Sequence, residues 1–146
     1  MNLHQFTSKT FAGLESVLAA ELKSLGASDV QISRRAVSFR GNHQLMVRAN
    51  LQSRTAISIM QEVHRFQFEG KDDFFAQMMA FDWSGIMGSH QTFAVYPVAS
   101  RSELFVNTMY LGQLTKDAIV DSFREKTGTR PNVDTDNPDM RIQVYV

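Results

Sequence analysis

Hydrophobic positions recur along this chain with two different periods. A helical repeat lies in "TFAGLESVLAAELKSLGA", where apolar side chains follow one another at spacings of three and four: Phe11, Leu14, Leu18, Leu22 and Leu25. This spacing predicts one apolar face of an α-helix, and Gly26 supplies the left-handed residue that commonly follows a helix end. Elsewhere apolar and polar residues alternate one for one, which is typical of strands buried on one face.

The first half of the chain predicts the element order β-α-β-β-α-β. A short strand at Leu3–Phe6 precedes the helix just described, and "DVQIS" and "AVSFR" indicate two strands with Arg34 and Arg35 at the turn between them. "GNHQLMVRANLQSR" indicates a second helix with Asn42 as its N-cap, and "AISIMQEVHRFQF" a long strand. This order is the ferredoxin-like split βαβ arrangement, an antiparallel sheet with two helices on one face.

The second half, from about Gly70, predicts the order α-β-α-β. "KDDFFAQMMAFDW" indicates a helix, and "QTFAVYPV" indicates a strand in which Pro97 marks an edge or an exit from the sheet. "NTMYLGQLTKDAIVDSFREKTG" indicates a long helix, which Gly128 ends and Pro131 prevents from resuming. The apolar stripe of this helix consists of Leu111, Leu114, Ala118, Ile119 and Phe123.

The last residues of the chain indicate a strand that is buried on one face. Apolar Met140, Ile142, Val144 and Val146 alternate with Arg141, Gln143 and Tyr145. A strand needs a partner, and an α-β-α-β layer that stops on a strand lacks one neighbour. We therefore expect the second part of the protein to be truncated at its C-terminus.

Length and composition are compatible with one ordinary domain or two small ones. The chain has 146 residues and 43% hydrophobic content, which is enough for a packed core. It contains no cysteine, which excludes a disulfide scaffold and suits a reducing compartment. Its first residues lack the pattern of a signal peptide. We therefore expect a cytoplasmic protein.

The formal charge sums to zero but is unevenly distributed. Residues 1–65 contain eight Lys or Arg and four Asp or Glu, whereas residues 66–146 contain seven and eleven. Between Val30 and Gln61 the chain has no acid and five arginines: Arg34, Arg35, Arg40, Arg48 and Arg54. This asymmetry permits a local basic face on a neutral protein. A solvated surface with opposite charges packed nearby explains it equally well.

The sequence lacks the patterns that indicate common catalytic and metal sites. Asp134, Asp136 and Asp139 do not fit a calcium loop, because Pro138 and Tyr145 stand where oxygen ligands are required. A turn stabilised by Asp side chains is the better interpretation of that segment. The four histidines never fall at ligand spacing, and no nucleophile elbow or nucleotide-binding glycine loop is present. We therefore assign no catalytic residue and no metal ligand.

The chain contains three stretches with a family resemblance: "GLESVLAAELKSLGA", "KDAIVDSF" and "RPNVDTDNPDMRIQVYV". Together they resemble the N-terminal region of bacterial ribosomal RNA guanine methyltransferases, which carry a THUMP domain ahead of a Rossmann-like catalytic domain. The first stretch could occur in many amphipathic helices. The second and third are more specific, because this helix and this turn recur together at the same spacing. The resemblance covers nearly the whole chain.

The resemblance implies an α+β fold with a ferredoxin-like subdomain over residues 1–68 and an incomplete THUMP subdomain over residues 69–146. THUMP modules of that family are regarded as RNA-binding platforms. The implied partners are structured RNA, above all large-subunit ribosomal RNA, and a C-terminal methyltransferase domain in the same polypeptide. That domain would use S-adenosylmethionine beside an Asn/Asp-Pro-Pro-aromatic motif. The motif is missing here, since no two prolines are adjacent, so we expect no cofactor in this fragment.

Five basic residues are the candidate RNA ligands, because lysine and arginine bind phosphate oxygens. Lys116 and Arg130 lie within the matching stretches. Arg101 is chosen for its position in the loop before the long helix, and Arg34 and Arg35 for their position at a strand turn.

Both residues within the matching stretches have a structural alternative. Lys116 could face Asp121 on a solvated helix surface, and Arg130 could bond Asp134 or Asp139 and hold the turn together.

Two other functions remain open from the sequence. The protein could be an interaction module that pairs with another chain through its exposed final strand. It could also be a small acyl phosphate hydrolase, since that activity occurs on a ferredoxin-like fold, but fold alone does not imply function. The loop after the first strand, "HQFTSKTFAG", does not resemble a phosphate-binding loop of glycines and arginine.

Overall fold

The computed structural model describes residues 2–99 and 105–146, and the chain divides into two compact units. The first unit ends at Arg65 and the second begins at Phe66. Each unit has its own cluster of buried apolar side chains.

The first unit has the ferredoxin-like topology that the element order predicts. Its elements are β1 (His4–Lys9), α1 (Glu15–Ser24), β2 (Ser28–Ser33), β3 (Ala36–Gly41), α2 (His43–Gln52) and β4 (Ser58–Gln61). The strands form one sheet in the order β2-β3-β1-β4, and all neighbours are antiparallel. The predicted N-cap of α2 is confirmed, because the Asn42 side chain accepts a hydrogen bond from Leu45 N at 2.8 Å.

The helices of the first unit cover one face of this sheet. The buried cluster joins sheet residues to helix residues: Phe6, Val37 and Phe39 with Leu18, Ala19, Leu22, Leu45 and Ala49. Phe11, which we expected on the apolar face of α1, is instead 66% exposed. It lies in the loop before the helix, which begins only at Glu15, so helical spacing does not carry its side chain to the core.

Two strands of the first unit differ in length from the prediction. β1 continues to Lys9, beyond the predicted Leu3–Phe6. The added residues include the buried polar residue Ser8, which the core tolerates because its hydroxyl donates a hydrogen bond to Ser58 O. The long strand predicted up to residue 68 is wrong, since β4 ends at Gln61. Its partner β1 begins at His4, so little strand remains for later residues to pair with.

The second unit combines a parallel sheet with two α-helices. Its elements are α3 (Lys71–Ala80), a short 3-10 helix (Trp83–Gly85), β5 (Thr92–Val98), α4 (Thr108–Thr127), β6 (Asn132–Val133) and β7 (Met140–Tyr145). The strand order is β6-β5-β7, and both pairings are parallel. Gly128 adopts the left-handed conformation that ends α4, as expected. Trp83 is buried and donates from Nε1 to Met78 O at 2.7 Å.

The sheet of the second unit buries the face that carries its β-branched and aromatic core residues. Phe93, Ile142 and Val144 belong to one cluster with α4 residues such as Ile119 and Phe123. The alternation predicted for the last strand is therefore confirmed, and its apolar positions face the helices. Among the described residues, β6 pairs only with Thr92 and Phe93, so the far end of β5 has β7 as its one sheet neighbour.

Pro97 lies at this far end, beyond the residues that pair with β6. The absence of a backbone N–H in proline therefore removes no hydrogen bond to β6. Its ring packs close to α4, because a Cβ added to Gly112 would approach Pro97 Cγ to 3.1 Å. Glycine thus allows the helix and the strand to come close together.

The acidic segment before β7 forms the turn that its composition predicts. Asp134 Oδ1 accepts hydrogen bonds from the backbone of Asp136 at 3.0 Å and Asn137 at 3.1 Å. Asp139 Oδ2 accepts from Thr92 N at 2.9 Å, which ties the turn to the start of β5. These carboxylates satisfy backbone donors and thereby hold the turn in place before β7.

Replacing Leu22 tests the core of the first unit. Its side chain is fully buried, so Leu22→Ala should lower the free energy of unfolding by about 3 kcal/mol. Leu51→Ala is the matched control, because Leu51 is 79% exposed and its loss should change stability by less than about 0.5 kcal/mol. Urea titrations followed by circular dichroism measure both. Equal effects of the two variants would contradict this assignment of the core.

Candidate nucleic-acid interface

The first unit carries four exposed basic residues at one end of its sheet: Lys9, Arg34, Arg35 and Arg54. We call this group the cationic end. The sequence pattern identified Arg34 and Arg35 as candidates, whereas Lys9 and Arg54 gave no comparable signal. Only strand pairing places them beside the β2–β3 turn.

Strand register explains why these residues lie at the same end. Lys9 is the last residue of β1 and pairs with Ala36 at the start of β3 and with Ser58 at the start of β4. The backbone of the next residue, Thr10, donates to Arg35 O at 3.0 Å. The Thr10 hydroxyl also donates to Thr55 O at 2.7 Å, which brings the segment of Arg54 to the same place.

Two carboxylates of α1 hold the loops of the cationic end in position. Glu15 Oε1 accepts from Gly13 N at 2.6 Å, and Glu15 Oε2 accepts from Arg35 N at 3.3 Å. Backbone hydrogen bonds, from Glu15 itself, Arg35 and Gly13, together with the Arg35 charge, hold the pKa of the Glu15 carboxyl below its ordinary value of 4.5.

The second carboxylate belongs to Glu21. Its Oε2 accepts from the Ser53 hydroxyl at 2.7 Å and from Arg54 N at 3.1 Å. Partial burial favours a higher pKa for Glu21, but these hydrogen bonds outweigh burial and lower the pKa. Because backbone and hydroxyl donors occupy both carboxylates, the basic side chains of the cationic end keep most of their charge available to a ligand.

The turn between β2 and β3 adopts an uncommon conformation. Arg35 has a φ of 57°, in the left-handed region that costs a non-glycine residue roughly 1–2 kcal/mol. The hydrogen bonds of its N–H to Glu15 and of its carbonyl to Thr10 fix the backbone there. An otherwise disfavoured backbone is thus held in place and presents Arg34 and Arg35 on an exposed loop tip.

The acid-free arginine segment does not form one continuous patch. Arg40 pairs with Gln5 near the opposite end of the sheet, and the Arg48 guanidinium lies near Gly26. Four residues of β3 lie between the Arg34–Arg35 turn and Arg40, and the five residue steps from Arg35 to Arg40 span roughly 16 Å of extended strand. Although the five arginines are close in sequence, they therefore cannot all contact the same phosphate group.

In the second unit, Lys116 and Arg130 lie at separate places. Lys116 lies midway along α4 and forms an ion pair with the adjacent Asp117 at 3.3 Å, not with Asp121. Arg130 is exposed two residues after the helix cap at Gly128. About 16 Å of helix axis separates Lys116 from Thr127, where α4 ends. Arg101 lies outside the described residues and stays a prediction.

The structural alternative for Arg130 is not seen in the described part of the chain. Asp134 and Asp139, its expected partners, accept hydrogen bonds from backbone groups and from Thr92 instead. On α4, Asp121 forms an ion pair with Arg124 at 3.8 Å. The Arg130 side chain makes no ion pair with any described carboxylate.

Two shallow concavities lie in the first unit. One of about 120 Å³ is lined by α2 and β4 residues, including Ser53 and Ile59, and is well below the size of a usual cofactor pocket. A wider one is lined by a single stretch of α2, from His43 to Arg48, and is open surface. No group of three metal-ligating side chains occurs within residues 2–99 and 105–146.

None of the helices in the described ranges is long and apolar enough to cross a membrane.

The Glu15 contacts make a prediction about pH. Because the pKa of Glu15 is lowered, its two hydrogen bonds should persist at pH 4.5 and be lost as pH falls through the lower folded-state pKa. In NMR titrations the amide protons of Gly13 and Arg35 should move together with a midpoint below 4.5. Glu15→Gln should abolish this step. A midpoint at or above 4.5 would show that the contacts do not favour the ionised form.

Two family models match consecutive parts of the chain. The RlmL ferredoxin-like domain matches residues 5–60, and the THUMP domain matches residues 69–146. The second match covers more than half of the chain. The first corresponds to the unit whose sheet order is β2-β3-β1-β4.

Solved structures of larger proteins share the fold. SMU.472, assigned as a methyltransferase and solved in complex with SAH, is 25% identical with a TM-score of 0.83. A predicted N6-adenine-specific DNA methylase from Listeria monocytogenes is 24% identical with a TM-score of 0.83. A 4-thiouridine synthetase in complex with RNA and ATP is 13% identical with a TM-score of 0.64.

The chain is covered to 99% in each comparison but spans only 39%, 38% and 39% of those proteins. It therefore resembles one part of larger enzymes. With matched models over both units, the chain belongs to the THUMP domain family and carries an RlmL-type ferredoxin-like domain ahead of its THUMP domain.

Proposed function

We propose that this chain is the RNA-binding part of an S-adenosylmethionine-dependent ribosomal RNA guanine methyltransferase. It would deliver RNA to a catalytic domain that is not part of these 146 residues. The observation that carries the proposal is the pair of matches, an RlmL-type ferredoxin-like domain followed by a THUMP domain. Two similar structures support it, since one was solved with SAH and another with RNA.

The cationic end is the proposed phosphate contact of the first unit. Arginine presents a planar fork of donors that matches phosphate oxygens, and Arg34 and Arg35 place two such forks on one loop tip. Lys9 and Arg54 add two charges beside them. An RNA ligand with closely spaced phosphates releases bound counterions when it meets such a group, which favours association at low salt.

Lys116, Arg130 and Arg101 are proposed as further contacts in the THUMP domain. Lys116 would have to release Asp117 to bind a phosphate, whereas Arg130 makes no such pair in the described part of the chain. We therefore expect Arg130 to contribute more than Lys116. Guanine as the target base and large-subunit ribosomal RNA as the substrate belong to the same proposal.

Methyl transfer would take place entirely in the missing domain. S-adenosylmethionine supplies the methyl group there, and the residues of this chain would bind and orient the RNA. We expect the protein to work in the cytoplasm, where its RNA substrate is assembled. The intact mass of the native gene product tests the linkage: a mass well above 16.5 kDa supports a catalytic domain in the same polypeptide, and an equal mass contradicts it.

Salt dependence tests the phosphate contacts directly. Binding of a fluorescent single-stranded oligoribonucleotide, measured by anisotropy, should weaken with salt by a log–log slope of about −0.7 per contact. The double variant Arg34→Gln, Arg35→Gln should weaken binding roughly tenfold and make the slope shallower by about 1.4.

Arg65→Gln is the matched control for the double variant. Arg65 is also an exposed arginine of the first unit, but its guanidinium is held by Glu62 through two contacts of 2.8 and 3.1 Å. It should leave affinity and slope nearly unchanged. If affinity does not depend on salt, or if all three arginines contribute equally, the cationic end is not a specific RNA contact. A DNA oligonucleotide of the same sequence tests the choice of RNA.

A second function is favoured by one observation, the position of β7. In the described sheet β7 is an edge strand, and its outer backbone groups could pair with a strand of another chain. A stable dimer in light scattering, together with no affinity for RNA, would favour this interaction module over the RNA-binding function.

A further inference from the structure

The sheet of the second unit has one face that no described helix covers. The helices pack on the side of Phe93, Ile142 and Val144, so the alternate residues of β5 and β7 point the other way. The opposite face consists of Ala94, Tyr96 and Val98 on β5 and Arg141, Gln143 and Tyr145 on β7. We call it the tyrosine face. Ala94 is buried, so the accessible part of this face is formed by the residues nearer the strand ends, above all the two tyrosines and Arg141.

Strand register brings two aromatic rings and one guanidinium together on this face. Tyr96 pairs with Gln143 and Val98 pairs with Tyr145, so the two tyrosines are diagonal neighbours on adjacent strands. Two residue steps along the strand and one strand spacing across it put their Cα atoms about 8 Å apart. Arg141 Nη1 donates to Tyr96 Oη at 3.4 Å, which holds the guanidinium beside the ring. Tyr96 is 39% exposed and Tyr145 70% exposed, so both rings are accessible.

The chemistry of the tyrosine face excludes a purely apolar cover. An aliphatic helix packed on it would bury Arg141 and the Gln143 amide without partners, which costs several kcal/mol. A suitable ligand must offer flat rings for the tyrosines and acceptors for the arginine and the amide. No carboxylate belongs to the six residues of the face, so a negatively charged ligand meets no repulsion from them.

Unpaired nucleotides meet these requirements better than a protein surface. Bases stack on aromatic rings of exposed sheets, and the phosphates between them accept hydrogen bonds from arginine. We propose that the tyrosine face binds unpaired nucleotides of RNA, with one base on Tyr145, a second on Tyr96, and Arg141 and Gln143 bonding the phosphate or base edges. The inference rests on the RNA-binding function proposed above and assigns it a second, stacking contact.

This contact differs physically from the cationic end. Phosphate contacts make binding depend on salt, whereas stacking depends little on salt and tolerates any base. The two kinds of contact can therefore be separated in one experiment on the same protein. The chosen probe is a single-stranded oligoribonucleotide of eight nucleotides that carries the fluorescent base 2-aminopurine, whose emission is quenched on stacking.

Tyr145→Leu should weaken binding of this probe about tenfold, leave the salt slope unchanged and abolish the quenching. Tyr145→Phe keeps the ring and should bind within twofold of the unchanged protein. Tyr110→Leu is the matched control, because Tyr110 is also an exposed tyrosine of the second unit but lies on α4, outside the tyrosine face, and should have no effect. Circular dichroism verifies that each variant is folded, as the exposure of Tyr145 leads us to expect.

The binding and light-scattering results distinguish failure of the tyrosine face from failure of the proposed RNA-binding function. If Tyr145→Leu binds as well as Tyr145→Phe while Arg34→Gln, Arg35→Gln loses affinity, the tyrosine face is not an RNA contact and RNA binding itself stands. If the unchanged protein binds no RNA even at low salt, the proposed function fails and the stacking contact fails with it. A dimer in light scattering that Tyr145→Leu dissociates without changing RNA affinity would identify the face as a protein interface and overturn the inference.

Discussion

The burial of one face of each sheet by helices is the constraint on which the other features of this protein depend. In the first unit, Phe6, Val37 and Phe39 pack against Leu18 and Leu22. In the second, the apolar positions of β5 and β7 pack against α4. Each fully buried side chain of this size contributes about 1.5–3 kcal/mol. Because successive strand residues alternate, this burial commits the remaining residues to the open faces and the loops, where ligands can reach them.

Polar side chains in the interior secure the loops that carry the basic residues. Ser8 and Thr10 are almost fully buried, and their hydroxyls bond the carbonyls of Ser58 and Thr55. At the surface, the Glu15 and Glu21 carboxylates also hold loops in place, since each accepts hydrogen bonds from backbone N–H groups of a neighbouring loop. An RNA ligand would thus meet arginines on a backbone that is already fixed, which lowers the entropy lost on binding.

Under the proposed RNA-binding function, the two units would contribute different kinds of contact. The first concentrates positive charge at a loop tip, which favours association with any phosphate backbone. The second has more acidic than basic residues and offers an aromatic sheet face in addition to its scattered cations. Under the proposed function, charge would attract the RNA and stacking would position an unpaired segment of it.

Much of the fold could be predicted from sequence because local signals agreed with each other. The order β-α-β-β-α-β, the cap at Asn42, the terminator at Gly128 and the turn at Asp134 all follow from side-chain chemistry within a few residues. The lengths of β1 and β4 could not be predicted, because both depend on distant residues. Ser8 is tolerated inside through a bond to a residue fifty positions away, and β4 ends opposite Phe6, two residues from the start of its partner β1.

The candidate sites depended even more on tertiary contacts. By itself the sequence determined the family, the ferredoxin-like order of elements and the charge asymmetry, since motifs, patterns and counts are properties of the chain. Only the tertiary structure decided that Lys9 and Arg54 lie beside Arg34 and Arg35, that Arg40 and Arg48 lie elsewhere, and that Tyr96 and Tyr145 share a face. Strand register decides these neighbours, and register results from the packing of the whole sheet.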